Sequence, residues 1–161
     1  MSAGLVSSIA AAAGSRLLTV QSDASLRDVA QLLSSTQISL VVVCDQEGAM
    51  IGVITKTDIV LQISHCTGRA CTSTADSIMT KDVISCRATD GLPDVLSMMQ
   101  ARGLVHVPVV DAEGKPSGVV NARDALRELM LESQYEEAIA ARLREGRRLS
   151  LIRCSLLKPP R

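Results

Sequence analysis

The chain has 161 residues, enough for one compact domain or two small halves sharing a core, and its 47% hydrophobic content with positive mean hydropathy excludes a disordered tail. A single tyrosine, Tyr135, and no Phe or Trp leave none of the aromatic platforms on which single-stranded nucleic acids stack their bases. Formal net charge is zero but unevenly spread: residues 141–161 hold Arg142, Arg144, Arg147, Arg148, Arg153, Lys158 and Arg161 against Glu145 alone.

In chain order, Leu5–Ala13 predicts a short leading helix and Arg16–Val20 a short strand. The polar turn Asp23-Ala-Ser25 offers helix caps, and Leu26, Val29, Ala30, Leu32 and Leu33 follow at helical spacing. Ile38–Cys44, nearly all apolar and rich in β-branched residues, predicts a buried central strand. Asp45-Gln-Glu-Gly48 is a tight turn, Met50–Ile54 a partner strand, and a helix starts near Lys56. Ser64–Asp76, rich in Ser, Thr and Cys, reads as a linker, and Ala75–Met79 matches the leading helix. The same order then recurs: a strand at Asp82–Cys86, a helix at Leu92–Arg102 and a strand at Leu104–Val110. The turn Asp111-Ala-Glu-Gly114, a strand at Pro116–Val120 and a helix from Ala122 to about Arg144 follow, with Gly146 as its stop. The expected division is 1–66 for the first repeat with its leader, 67–76 for the linker, 77–145 for the second repeat and 146–161 for a basic tail.

The recurrence is a gap-free repeat at an offset of 66. Ser25–Leu61 laid over Gly91–Arg127 gives 11 identities in 37 positions, where average usage gives roughly two or three. The identities include Asp45 with Asp111, Gly48 with Gly114, Gly52 with Gly118 and Asp58 with Asp124. Two strand–helix–strand–strand–helix units, each too small to bury its own core, predict an α/β (α+β) protein of two units packed face to face.

The runs Val41-Val-Val-Cys-Asp45-Gln-Glu-Gly48…Gly52-Val-Ile-Thr55-Lys-Thr-Asp58 and Val107-Pro-Val-Val-Asp111-Ala-Glu-Gly114…Gly118-Val-Val-Asn121-Ala-Arg-Asp124 resemble the cystathionine-β-synthase (CBS) domain family. The resemblance covers about Gly14 to Leu131. It implies two repeats packed through their sheets about a pseudo-two-fold axis (a Bateman module), dimerisation of the pair, and adenine-containing ligands such as AMP, ADP, ATP or S-adenosylmethionine bound in clefts between the repeats. It also implies a sensor acting on an effector protein. In that family the aspartate ending the Thr-x-x-Asp motif accepts the ribose hydroxyls, a role that falls to Asp58 and Asp124; a carboxylate can accept from both hydroxyls of a diol. Thr55 would address phosphate at a helix start, with Asn121 replacing it in the second copy. Lys56 and Arg123 are the neighbouring cations. Adenine would lie against Leu18, Thr19, Ser39 and Leu40 in one copy, and against Ile84, Ser85, Val105, His106, Val107 and Pro108 in the other. Each copy departs from the family pattern at one feature, which favours a single working site, with the second copy preferred.

Other readings stand beside this one. Asp58 and Asp124 suit helix caps without any ligand. His65, Cys66 and Cys71 lack zinc-site spacing, so no metal is expected and no cofactor is required. Cys44 and Cys86 fall in strand patterns and read as small core residues. With two histidines, no phosphate-cradling glycine loop and no nucleophile elbow, no enzyme is expected. The odd count of five cysteines fits reduced thiols. No apolar run reaches the roughly 18 residues of a membrane span, and Met1–Ala13 has no basic residue, so a cytoplasmic protein is expected. The alternatives to a ligand sensor are a ligand-free scaffold for protein association and a nucleic-acid-associated protein acting through the basic tail.

Overall fold

The computed structural model describes residues 4–65 and 72–155, with side chains up to residue 145. Equivalent residues make the same turn in both copies. Asp45 Oδ1 accepts from the N–H groups of Glu47 (2.9 Å) and Ala49 (2.9 Å). Asp111 Oδ1 does the same for Glu113 (3.0 Å) and Lys115 (2.8 Å). Gly48 and Gly114 complete the turns at φ +86° and +78°, a left-handed backbone that costs glycine little.

A 3-10 turn, Val6–Ile9, leads into helix α1 (Ala10–Ser15), strand β1 (Thr19–Gln21), helix α2 (Leu26–Ser35), strands β2 (Leu40–Cys44) and β3 (Met50–Thr55), and helix α3 (Lys56–His65). The second copy follows as α4 (Ala75–Ile78), α5 (Leu92–Arg102), β4 (His106–Val110), β5 (Pro116–Asn121) and α6 (Ala122–Ser155). β2 pairs parallel to β1 and antiparallel to β3; β4 pairs antiparallel to β5. Ser25 caps α2, accepting from Asp28 N at 3.1 Å while donating to Asp28 Oδ2 at 2.7 Å. Gly103, at φ +64°, ends α5.

Two expectations need correction. The strand predicted over Asp82–Cys86 contracts to one parallel bridge, Cys86 to Val109. That bridge is the offset-66 mate of Val20 with Val43. A tight turn in which Val83 N donates to Lys81 O (3.0 Å) breaks the extension upstream. The last helix also continues through Gly146 to Ser155. An interior glycine costs a helix about 1 kcal/mol against alanine, and the Arg- and Leu-rich flanks carry the helix across it.

The period of two along the strands sorts side chains between two environments. Val41, Val43 and Ile54 face Leu26, Val29 and Leu33 of α2. Val107, Val109 and Val120 face Leu92, Val95 and Met99 of α5. The intervening residues Leu40, Val42, Cys44 and Val53 meet Val119 of the other copy in a third cluster, with Met50 and Val83 at its margin. The copies are thus joined sheet to sheet. Met50 N donates to Gly114 O (2.9 Å) across the join.

Each leader crosses to the other copy. Leu92 N donates to Gly4 O (2.7 Å) and Val6 N to Asp90 O (2.9 Å), fixing the first leader on the second copy. Leu26 N donates to Ser73 O (3.0 Å), and Thr80 and Val53 exchange backbone hydrogen bonds, fixing the second leader on the first copy. The approach is close enough to require glycine: a Cβ at Gly118 would lie 2.9 Å from the Ala13 backbone, and one at Gly52 would lie 2.9 Å from Thr80 O.

Candidate functional site

Where the sheets meet, two clefts open on either side of the join. One is lined by Arg16, Gln37, Ile38, Ser39 and Leu40 of the first copy with His106 and Val119 of the second. The other is lined by Leu40 and Val53 of the first copy with Thr80, Asp82, Val83, Ile84, Leu104, His106 and Pro108. The offset of 66 carries Arg16 to Asp82, Ile38 to Leu104, Leu40 to His106 and Val53 to Val119. The clefts are therefore mates under the internal pseudo-symmetry. They differ in room: the Arg16 cleft holds about 10 Å³ and the Asp82 cleft about 120 Å³. The first volume is that of about one water molecule.

The difference has a chemical cause. Arg16 directly follows α1, which is docked on β5 through Ala13, and this docking delivers its guanidinium to the second copy. Arg16 Nε donates to Asp124 Oδ2 at 2.7 Å, with the carboxylate side chain only 15% exposed. This is the one ion pair among the residues whose side chains are described. Asp58, the mate of Asp124, is engaged differently. Its Oδ2 accepts from Thr55 N (2.7 Å) and Thr55 Oγ1 (2.8 Å) at the start of α3, so it caps its own helix.

Asn121 takes a role that Thr55 does not have. Its Oδ1 accepts from Arg123 N at 2.8 Å, which orients the amide so that Nδ2 donates to His106 Nε2 at 3.0 Å. A ring nitrogen that accepts must be unprotonated, so His106 is held as the neutral imidazole. Burial is the main reason its pKa lies below the ordinary value; the Arg16 charge adds to the depression and Asp124 partly opposes it. Burial also pushes the Cys86 thiol up to about 11, with Asp90 adding to the shift, and raises the pKa of Cys44. Both thiols are buried core groups.

Residues 6–65 and 75–131 each match the CBS domain. The chain belongs to the CBS-domain family. An uncharacterized 17.7 kDa protein of Acidianus ambivalens is 29% identical over 118 residues, 73% of this chain and 70% of that protein. Inosine-5′-monophosphate dehydrogenase of Methanocaldococcus jannaschii is 27% identical over 138 residues, 86% of this chain but 25% of the enzyme. The chain thus spans a quarter of that enzyme. Among solved structures, a CBS domain pair in complex with 5′-methylthioadenosine and S-adenosyl-L-methionine has a TM-score of 0.67 and 26% identity, covering 80% of this chain and 98% of that one.

Within the CBS pair, packing groups the expected residues across repeats, where sequence spacing grouped them copy by copy. Ser39 and Leu40 share the Arg16 cleft with His106, and Asp124 sits at its edge through Arg16. Ile84, His106, Pro108 and Leu40 share the Asp82 cleft. Others lie elsewhere. Val107 is fully buried in the core of its own repeat, because strand alternation turns it away from the face that carries His106 and Pro108. Ser85 lines a separate hollow with Asp94 and Met98, and Lys56 another with Leu33 and Val60. Thr19, Val105 and Arg123 are exposed, and Leu18 is half-buried against the first repeat's core. Sequence reasoning missed Arg16 and Asp82. The available signal was their opposite charge at one repeat position just outside the aligned identities. Cys66 and Cys71 lie outside the described residues, as do the side chains of the basic tail beyond residue 145. Among the described residues no helix is long and apolar enough to cross a membrane, and no group of His, Cys, Asp and Glu forms a metal cluster.

Proposed function

We propose that this CBS pair is a non-enzymatic regulatory module that binds an adenosyl ligand, such as AMP, ADP, ATP or S-adenosylmethionine, in the clefts between its repeats and signals occupancy to a partner protein. The observation that carries the reading is the pair of symmetry-related composite clefts, each lined from both repeats. A solved CBS pair of similar fold in complex with adenosyl compounds supports it. Both clefts are smaller than the roughly 300 Å³ of ordinary ligand sites, so a nucleoside has to spread the repeats. Ligand energy would then favour one relative angle of the sheets, shifting a pre-existing population. Asp124 and Asp58 would serve the ribose, and Asn121 and Arg123 the phosphate.

The module would act in the cytoplasm as a homodimer. The support for self-association is an apolar face repeated by the internal symmetry: Val60 on α3 is 65% exposed and its mate Leu126 on α6 is 50% exposed, with Leu61, Ile63 and Met130 beside them. Exposed apolar residues grouped in this way mark interaction surfaces. Sedimentation velocity tests it: a dimer is expected, and a monomer at micromolar concentration contradicts it.

Calorimetric titration with AMP, ADP, ATP and S-adenosylmethionine tests ligand binding. Heat that disappears in Asp124→Ala or Asp58→Ala is expected; no heat with any of the four contradicts the sensor. A second reading, a ligand-free scaffold, is favoured by one observation. Both aspartates already have partners within the protein, Asp124 in Arg16 and Asp58 in Thr55.

A further inference from the structure

We infer that the two clefts select adenosyl ligands of opposite charge, with Arg16 and Asp82 as the specificity-determining residues; this rests on the adenosyl reading above. The Arg16 cleft would take a nucleotide carrying phosphate. The Asp82 cleft would take an adenosyl ligand whose 5′ substituent is cationic, a sulfonium such as S-adenosylmethionine.

The argument begins with what a ribose diol must displace. In the Arg16 cleft the Asp124 carboxylate is held by Arg16 Nε at 2.7 Å, and the space left is about 10 Å³. Entry of a ribose therefore breaks this ion pair and releases a guanidinium beside the ligand. A phosphate restores the lost partner, since guanidinium and phosphate make short charge-assisted hydrogen bonds. An uncharged 5′ substituent restores nothing, and the ligand bears the full loss of the ion pair. His106, lining the same cleft, adds no positive charge, because Asn121 fixes it as neutral imidazole.

At the symmetry-related position the other cleft presents Asp82. Asp58, the mate of Asp124, is satisfied by Thr55 and pairs with no cation among the described side chains. A carboxylate where the other cleft carries a guanidinium repels a phosphate and attracts a sulfonium. In a half-wet cleft, loss of one neighbouring charge corresponds to about a tenfold change in affinity.

Titration calorimetry of the full chain with AMP, 5′-methylthioadenosine and S-adenosylmethionine distinguishes the outcomes. Arg16→Ala is expected to weaken AMP about tenfold while leaving 5′-methylthioadenosine as tight or tighter, because Asp124 is freed. Arg16→Lys is expected to recover most of the AMP affinity, which separates lost charge from damaged folding. Asp82→Asn is expected to weaken S-adenosylmethionine about tenfold and to leave AMP no weaker. Equal shifts for AMP and 5′-methylthioadenosine in Arg16→Ala, or an unchanged ratio of S-adenosylmethionine to AMP affinity in Asp82→Asn, overturn the inference alone. Absence of binding by all three, and by ADP and ATP, to the wild-type chain overturns the adenosyl reading and this inference with it.

Discussion

The first repeat builds a three-stranded sheet, β1-β2-β3, and the second only β4-β5 with a single bridge at Cys86; yet both present the same inner face to each other. Leu40 and His106 occupy the same repeat position and both line the two clefts, but one is an aliphatic wall and the other a neutral ring tied to Asn121. Identity between the copies concentrates where the fold has no choice: the turn aspartates, the glycines beside the leaders and the core valines. At the join the copies also differ, with Arg16 answering Asp82 and Asn121 answering Thr55. Duplication has kept the scaffold symmetric while the chemistry at its centre has separated.

The sharpest way to break that equivalence is in the cores. Ile54 and Val120 are mates and both fully buried. Ile54→Ala is expected to lower unfolding free energy by about 2–5 kcal/mol, and Val120→Ala by less, since it removes one carbon fewer; urea denaturation measures both. If Val120→Ala proves the costlier, the second repeat is the packing centre of the pair. Next in size, Gly118→Ala forces the new methyl against the Ala13 backbone and is expected to cost about 1–3 kcal/mol. Gly114→Ala strains only an open turn and is expected to cost about 1 kcal/mol. Equal costs would mean that the leader is not held close to β5.

Smaller effects probe the join itself. Asp124→Asn removes the partner of Arg16, whose side chain is 35% exposed, so water screens the loss to about 1 kcal/mol. Asp58→Asn weakens a helix cap, also about 1 kcal/mol, and thermal melts compare the two. Last, the depressed pKa of His106 makes stability depend on pH with a definite sign. Below the ordinary histidine pKa of about 6.5 the unfolded chain takes up a proton that folded His106 refuses. Stability therefore falls as pH drops from about 6.5 toward the folded pKa, and the loss is complete below it. Arg16→Ala removes one cause of the depression and should raise the His106 value in a proton NMR titration; no movement would place Arg16 away from the ring.

Much of the scaffold was legible because it is local. Helix α5 lies at Leu92–Arg102 as the repeat predicts, and both Asp-x-x-Gly turns close as their residues require. What sequence could not show is long-range. Nothing in Leu5–Ser15 announces that this segment docks on the opposite repeat, and without that crossing the nearness of Arg16 to Asp124, 108 residues apart, has no signal. The sheet-to-sheet join, equally long-range, explains why the clefts combine Ser39 and Leu40 with His106 rather than following the chain. Val107 and Ser85 lie away from the two clefts for a simpler reason: strand alternation and the single-bridge geometry at Cys86 assign them to other faces.

The most direct measurement is the electron density of crystals grown with saturating AMP. The account predicts an adenine ring between Leu40 and His106, with the Arg16–Asp124 contact opened and Arg16 turned to the phosphate. Crystals in which both clefts stay closed on their own side chains, or in which AMP lies on an outer surface of the helices, would contradict it.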